Sequence, residues 1–571
     1  MGHLTPFLRL ATSLVASDVR VTFIAAHPTV SLAESRALSS FFASFPQVIP
    51  MQLCLLPIDE SSSGTDDPFY RHYEVICRSC RLLPPLLSSI SPPLSALITD
   101  MSLISAVLPV SRAAGLPNYV FFTSSAKMLT LFMSFHKISV GKAMPGSGDN
   151  EDVIKIPNLE PIPVSWFPPP LLEEEDNFLK SSLIQNGKSM SDADGILINT
   201  FYGFEQDTLR ALNDVNITSG LPPAIAIGPL PPANFEEPHS HPLAWLGDQP
   251  IGSVVYVSFG SRTAMSRDQI RELGDGLVRS GVRFVWIVKS KKVDEEDTEG
   301  LEDVIGQNLM MATSGAVNGL VVKCWLNQSE VLGHPAIGGF LSHCGWNSVM
   351  EAVWHGVPML AWPQHGDQMI NASLVKRAGI GIWEESWGRG EKDVVKGEEI
   401  ADRVEEMTRD ESLKARAARM KEAARTALGA DGDSGRGLKA LLAKLSQNGS
   451  RFDCRPVLKM LSIFLGTRKT LNLQTATENC RRWIKKVDWR LFEVGVRASV
   501  ANLGENESGV EVGDEIGVMS NVDEIDALVK SDDDYVLSDD KDYFQLVPKL
   551  VSRSEEEDQD TEEEDVRVIV H

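Results

Sequence analysis

From about residue 19 to residue 449 the sequence repeats one pattern, a short apolar run followed by a stretch with helical spacing. Runs that are apolar throughout, rather than alternating, describe strands buried on both faces. Such strands belong to parallel sheets with helices packed on each side. The runs predict strands at Val19–Ala25, Ala96–Thr99, Asn118–Phe122 and Gly195–Asn199, with helices at Ser31–Phe42 and Ser124–Phe135. After Ile225–Pro229 a proline-rich polar stretch to about Pro242 reads as an interdomain linker. A second set follows, with strands at Ser253–Ser258, Arg283–Val288, Leu320–Cys324, Gly338–Ser342 and Pro358–Ala361, and helices starting near Ser266, Trp346 and Asp367. The expectation is an α/β protein of two doubly wound domains facing a cleft, with ligands beyond the carboxyl ends of the strands. The predicted divisions are 1–235, a linker at 236–250, a second domain at 251–449 and an extension at 450–571.

Length supports the division, because 571 residues exceed what one core holds. Net charge narrows the partners. The chain carries −24 overall, but residues 501–571 hold 23 acidic against 5 basic side chains, a balance of −18. The first 500 residues therefore carry only −6, and neither part offers the basic face that nucleic acid requires. The acidic tail is expected to be largely disordered, with no catalytic constellation. No apolar run reaches the roughly 18 residues that span a bilayer. Met1–Pro6 has neither the basic nor the apolar region of a signal peptide, and Pro6 argues against myristoylation. The seven cysteines are scattered, with one CxxC at Cys77–Cys80, and read as reduced thiols of a cytoplasmic protein.

The stretch from Trp325 to Gln368 carries the chemistry. It reads as a strand ending at Leu341-Ser342-His343, a tight turn at Cys344-Gly345, and a helix from about Trp346. Gly345 lets backbone approach a bound group. Asn347 and Ser348 fall in the first helical turn, where free N–H groups and the positive dipole end attract phosphate. His343 points at the same place. Glu351 follows Asn347 by four residues on one helix face, where a carboxylate can accept hydrogen bonds from ribose hydroxyls. Singly, each has a plainer reading: a histidine at a strand end is often structural, and Trp325 would usually be core.

The whole 44-residue block resembles the signature box of plant UDP-dependent glycosyltransferases, with Trp first, Gln fourth, HCGWNS in the middle and Asp-Gln last. The resemblance implies a GT-B architecture, two Rossmann-like domains across a cleft. It also implies donor-site roles: Trp325 stacks on uracil, Glu351 holds the ribose, His343, Asn347 and Ser348 bind the diphosphate, and Asp367 and Gln368 read the sugar hydroxyls. Leu326, Gln328, Gly345 and Trp346 are carried over as further donor-site positions of the box. Gln368 is usual in glucose-using members, so UDP-glucose is the implied co-substrate. Val257–Ser261 resembles the second donor loop, in which Ser261 reaches the phosphates. No metal and no cofactor are implied; the DxD triplets at Asp431–Asp433 and Asp532–Asp534 lie in a Gly/Ser loop and in the acidic tail.

Transfer needs a base, and histidine titrates in the right range. Gly2–Pro6 resembles the family's GHLxP segment, which makes His3 the implied base. Asp100, ending a predicted strand, matches the aspartate that orients it; its plainer reading is a helix N-cap. His27–Ser35, Asp67–Phe69, Thr123–Ala126 and Phe259–Arg262 look like plant flavonoid C-glucosyltransferases, which act on 2-hydroxyflavanones and related ketones. The implied reaction is one inverting displacement onto a phenolic acceptor, C-linked, with an O-glucoside as the alternative. Phe69, Phe121, Phe122 and Ser124 are candidate acceptor-lining residues, with core packing as the competing reading. A small-molecule phenol and a UDP-sugar are the only expected partners of a monomer, without nucleic acid or membrane.

The resemblance covers residues 1 to about 449 and leaves two departures. Family members begin with an apolar strand before GHLxP, whereas this sequence starts inside the loop. The central strand of the first sheet is therefore expected to be missing, with neighbouring strand edges exposed and His3 at a frayed terminus. On that reading a UDP-binding protein without turnover is a further alternative. The second departure is the extension from 450, which has no counterpart in the family.

Overall fold

The computed structural model describes residues 2–449 and 567–570, apart from 58–67, 92, 136–152, 155–159, 168, 173–177, 215–220, 234–239, 261–262, 290–298, 314–317, 324–325 and 388–393. Its strands are β1 (Arg20–His27), β2 (Ile49–Cys54), β3 (Ala96–Asp100), β4 (Asn118–Phe122), β5 (Val153–Ile154), β6 (Ile162–Pro163), β7 (Gly195–Ile198), β8 (Ala224–Ala226), β9 (Val254–Ser258), β10 (Arg283–Ile287), β11 (Gly319–Val322), β12 (Ile337–Ser342), β13 (Met359–Ala361), β14 (Gly381–Trp383) and β15 (Arg567–Val570). Two sheets dominate, ordered β2-β1-β15-β3-β4-β7-β8 and β11-β10-β9-β12-β13-β14, and every pairing in them is parallel. β5 and β6 form a small antiparallel pair. Five helices matter for the site: α1 (Leu4–Val15), α2 (Ala126–Ser134), α3 (Trp346–His355), α4 (Gln368–Arg377) and α5 (Asp433–Gly449).

Residue alternation explains why both sheets are covered on both sides. In β4, Tyr119 and Phe121 join one apolar cluster while Val120 and Phe122 join another. In β9, Val255 and Val257 face one cluster and Val254 and Tyr256 the other. Successive side chains of a strand point to opposite faces, so an unbroken apolar run needs helices above and below. The predicted strands at 96–99, 118–122, 195–199, 253–258 and 283–288 fall within a residue or two of those observed.

Two features differ from the sequence expectation. First, the central place of the first sheet is filled. The extension provides the strand: β15 runs parallel between β1 and β3, with Val568 opposite Val21 and Ala96. The rest of 450–566, including most of the acidic tail, lies outside the described residues. Second, the second domain gives its last helix to the first sheet. Leu441 and Leu445 of α5 join Phe7, Leu10 and Leu14 of α1 in the cluster over β1, β3 and β4, and the Ser434 hydroxyl donates to the Gly228 carbonyl at 2.6 Å. Leu438, Leu441, Leu442 and Leu445 make one apolar stripe that packs into the cluster on that sheet face. Among the described residues no helix is long and apolar enough to cross a membrane.

Candidate functional site

The two resemblance-implied catalytic residues are in contact. His3 stands at the N-cap of α1, and its Nδ1 lies 2.8 Å from Asp100 Oδ2 at the end of β3. The other carboxylate oxygen accepts from the Ser102 backbone N–H at 2.8 Å and from its hydroxyl at 2.5 Å. Asp100 thus contacts His3 through Oδ2 and holds the Ser102 turn through Oδ1; it is not a helix N-cap, since the helix at Ile104–Ala113 has Leu103 in that place and no side-chain cap. A carboxylate can only accept, so Nδ1 carries the proton and Nε2 keeps the basic lone pair. Burial alone would depress the His3 pKa, but the charge and hydrogen bond of Asp100 outweigh it and the net shift is upward. Asp100 moves the other way: burial would raise it, and His3 with the Ser102 contacts holds it below the usual carboxylate value.

The strand–turn–helix element forms as its residues predict. β12 ends at Ser342, Cys344 takes a left-handed φ of 61°, and α3 starts at Trp346 with Gly345 as N-cap. The His343 ring lies between two glycines. A Cβ on Gly260 or on Gly345 would each come within 2.5 Å of its Nε2. Desolvation, with His365 nearby, pulls the His343 pKa down to about 3, so the ring is a neutral hydrogen-bonding group near pH 7.

On α3 the donor-site candidates already have partners. Asn347 Nδ2 donates to the Gly2 carbonyl at 2.9 Å, fastening the segment before His3 to the start of α3. Glu351 accepts from Arg9 of α1 through one oxygen and from Gln328 Nε2 at 2.7 Å through the other. Gln328 also donates to the Ser348 hydroxyl at 2.8 Å. Trp346 and Leu326 are apolar core. The Trp346 indole N–H donates to the Asn199 carbonyl at 2.9 Å and so tethers the first sheet. Trp325 and Ser261 lie outside the described residues.

Asp367 and Gln368 stand at the start of α4, facing the first domain. The Ser124 hydroxyl donates to Asp367, and Asn371 Nδ2 donates to the same oxygen at 2.9 Å. Gln368 Oε1 accepts from the Gln364 and His365 backbone N–H groups at 2.8 and 3.0 Å. Its carboxamide oxygen therefore shapes its own loop.

Of the acceptor candidates, Ser124 is at the cleft through Asp367, while Phe121 and Phe122 are core residues and that reading of them is corrected. Both are 0% exposed on the central strand β4, Phe121 edge-on to Phe7 and Phe122 to Phe132. The Phe69 side chain lies outside the described residues. A small apolar pocket lies beside α2, lined by Met128, Phe132, Trp166 and Phe167 and bordered by Gly366 and Ile370. The sequence reading also missed Arg9, Ser102 and Asn371. Arg9 left a signal, a lone charge in the otherwise apolar Pro6–Ala11.

Comparison with known proteins agrees with this geometry. The family described as UDP-glucoronosyl and UDP-glucosyl transferase matches residues 219–422. UDP-glycosyltransferase 708G2 from Citrus unshiu is 50% identical over 456 residues, covering 79% of this chain and 95% of that protein. UDP-glycosyltransferase CGT from Oryza sativa subsp. indica is 42% identical over 454 residues, covering 79% and 95%. The crystal structure of LpCGTa in complex with UDP superposes with a TM-score of 0.69 at 43% identity, covering 78% of this chain and 96% of that one.

Proposed function

Because the chain belongs to the UDP-glucosyl transferase family, whose members take a UDP-sugar as co-substrate without a metal, we propose that it transfers glucose from UDP-glucose, with inversion, to a flavonoid-type phenol. C-glucosylation of a 2-hydroxyflavanone is the leading reaction. The observation that carries the proposal is the 2.8 Å contact between His3 Nδ1 and Asp100 Oδ2, on a segment whose Gly2 carbonyl is held by Asn347 of α3. Base and phosphate-facing helix are thereby joined in one frame. His3 Nε2 takes the phenolic proton, and Asp100 stabilises the imidazolium. The ring carbon ortho to the phenolate attacks the anomeric carbon, and the bond to UDP breaks with its electron pair leaving on the diphosphate. The ortho carbon then loses its proton to water as the ring regains aromaticity, and the His3 imidazolium returns its proton to the phenolate oxygen. The neutral His343 and the N–H groups opening α3 face the developing charge.

The C-linkage is supported by the segments resembling flavonoid C-glucosyltransferases and by 50% identity to UDP-glycosyltransferase 708G2. Incubation with UDP-glucose and a 2-hydroxyflavanone, followed by acid treatment, tests it. An acid-stable glucoside is expected. An acid-labile product would assign O-glucosylation, and absence of product together with no affinity for UDP would overturn the proposal.

A further inference from the structure

The first sheet depends on a strand from the far end of the chain. β15 pairs with β1 over Arg567–Val570 and with β3 over Val568–Val570, making it the third of seven strands. Neighbouring strands in a sheet stand roughly 4.8 Å apart, so removing β15 leaves β1 and β3 about 10 Å apart with two facing rows of unpaired backbone groups. Those strands are poor edges: β3 is buried at all five positions, and Val21, Phe23 and Ile24 of β1 are about 1% exposed. The Val568-Ile569-Val570 run has the β-branched composition that a central parallel strand requires.

α1 ties this strand to the chemistry. Phe7, Leu8, Leu10, Ala11 and Leu14 pack in one cluster with Val21 and Phe23 of β1 and with Ala96 and Ile98 of β3. α1 therefore lies across the place β15 fills. The same helix carries His3 at its start, and β3 carries Asp100 at its end, two residues beyond the Ile98–Val570 pairing. A collapsed or open gap between β1 and β3 moves α1 relative to Asp100.

We propose that the slot between β1 and β3 is a binding site for an extended, β-branched strand, and that the chain's own Arg567–Val570 segment occupies it as the positioning element for the His3–Asp100 pair. The turnover readouts below rest on the glycosyltransferase reading; the exchange readout does not. In the full chain, amide exchange at 568–570 is expected to be slowed at least a hundredfold relative to an unstructured peptide. Exchange at the unstructured rate overturns the proposal even if the enzyme is active. Ile569→Pro, which removes a ladder hydrogen bond from a central strand, should lower turnover at least tenfold and move the acid limb of the pH–rate profile to lower pH, as Asp100 loses its hold on His3. Ile569→Val should behave as the parent. Deleting 563–571 should abolish turnover, with saturable recovery on adding a synthetic peptide of those residues. Replacing 454–562 by a Gly/Ser linker of equal length should leave turnover intact. A deletion variant that works at the parent rate, or one that no concentration of peptide restores, overturns the assignment.

Discussion

Arg9 on α1 and Glu351 on α3 form an ion pair buried at both ends, each side chain about 6% exposed, across the two domains. Gln328 Nε2 completes the carboxylate from the other side at 2.7 Å. Removing one partner of such a pair strands a buried charge, whereas replacing both by neutral groups need not destabilise. Arg9→Met is therefore expected to lower stability by about 3 kcal/mol, and Arg9→Met with Glu351→Gln should recover most of that loss. Chemical denaturation of the four proteins of this cycle checks it. If the double variant loses the sum of the single losses, the pair is not coupled.

The His3–Asp100 contact gives activity a pH signature. A base must be unprotonated, and Asp100 raises the His3 pKa above its ordinary 6.5, so kcat/KM should climb through an acid limb above that value. Asp100→Asn removes both the charge and the proper acceptor. The limb then moves to lower pH, and turnover falls about a hundredfold or more. His3→Ala should lose turnover to the same degree or more while UDP titration is unchanged. For stability the signs are opposed. The raised His3 pKa favours the fold below 6.5, and this help is lost as pH rises through the folded value. The lowered Asp100 pKa favours the fold above its ordinary 3.8, and that help is lost as pH falls through its folded value. With the His3 side chain half exposed, its share is small.

How far the sequence reveals this molecule depends on whether a feature is local. The central strands are legible because Val254–Ser258 or Asn118–Phe122 announce burial on both faces within five residues. The turn at Cys344-Gly345 is legible for the same reason. β15 is not, because a four-residue strand after an acidic run gains its meaning only from partners at β1 and β3. The Arg9–Glu351 pair spans 342 positions, and no spacing rule reaches that far. Phe121 and Phe122 mislead in the opposite direction. Aromatic residues near a cleft suit an acceptor, yet on a strand covered on both sides they are the core itself.

Trp346 offers a test of structure against box membership. Its indole N–H is the donor to the Asn199 carbonyl, and its ring centroid stands 5.9 Å from that of Phe204. Trp346→Phe keeps most of the apolar contact and leaves a buried carbonyl unpaired, a loss of about 1–3 kcal/mol. The melting temperature should fall while UDP affinity stays within about twofold, since the indole N–H is committed to the Asn199 carbonyl. A variant of parental stability with weakened UDP binding would return Trp346 to the donor site.

Gly345 and Gly260 both stand against the His343 ring. A Cβ on either glycine would stand 2.5 Å from Nε2, closer than real Cβ contacts come. The backbone of Gly345, at φ −57° and ψ 141°, is open to any residue, so Gly345→Ala tests the contact without backbone strain. Gly260, at φ 74°, adds strain of about 1 kcal/mol or more when substituted. Gly345→Ala is expected to weaken UDP binding about tenfold or more while leaving the melting temperature near that of the parent. Because the His343 pKa lies at about 3, its own contribution to UDP binding should be constant between about pH 5 and 8. Isothermal titration with UDP at several pH values, on the parent and on His343→Ala, measures this. A parent-to-variant affinity ratio that changes across that range would show that the ring titrates, and that it is not the fixed neutral donor its burial makes it.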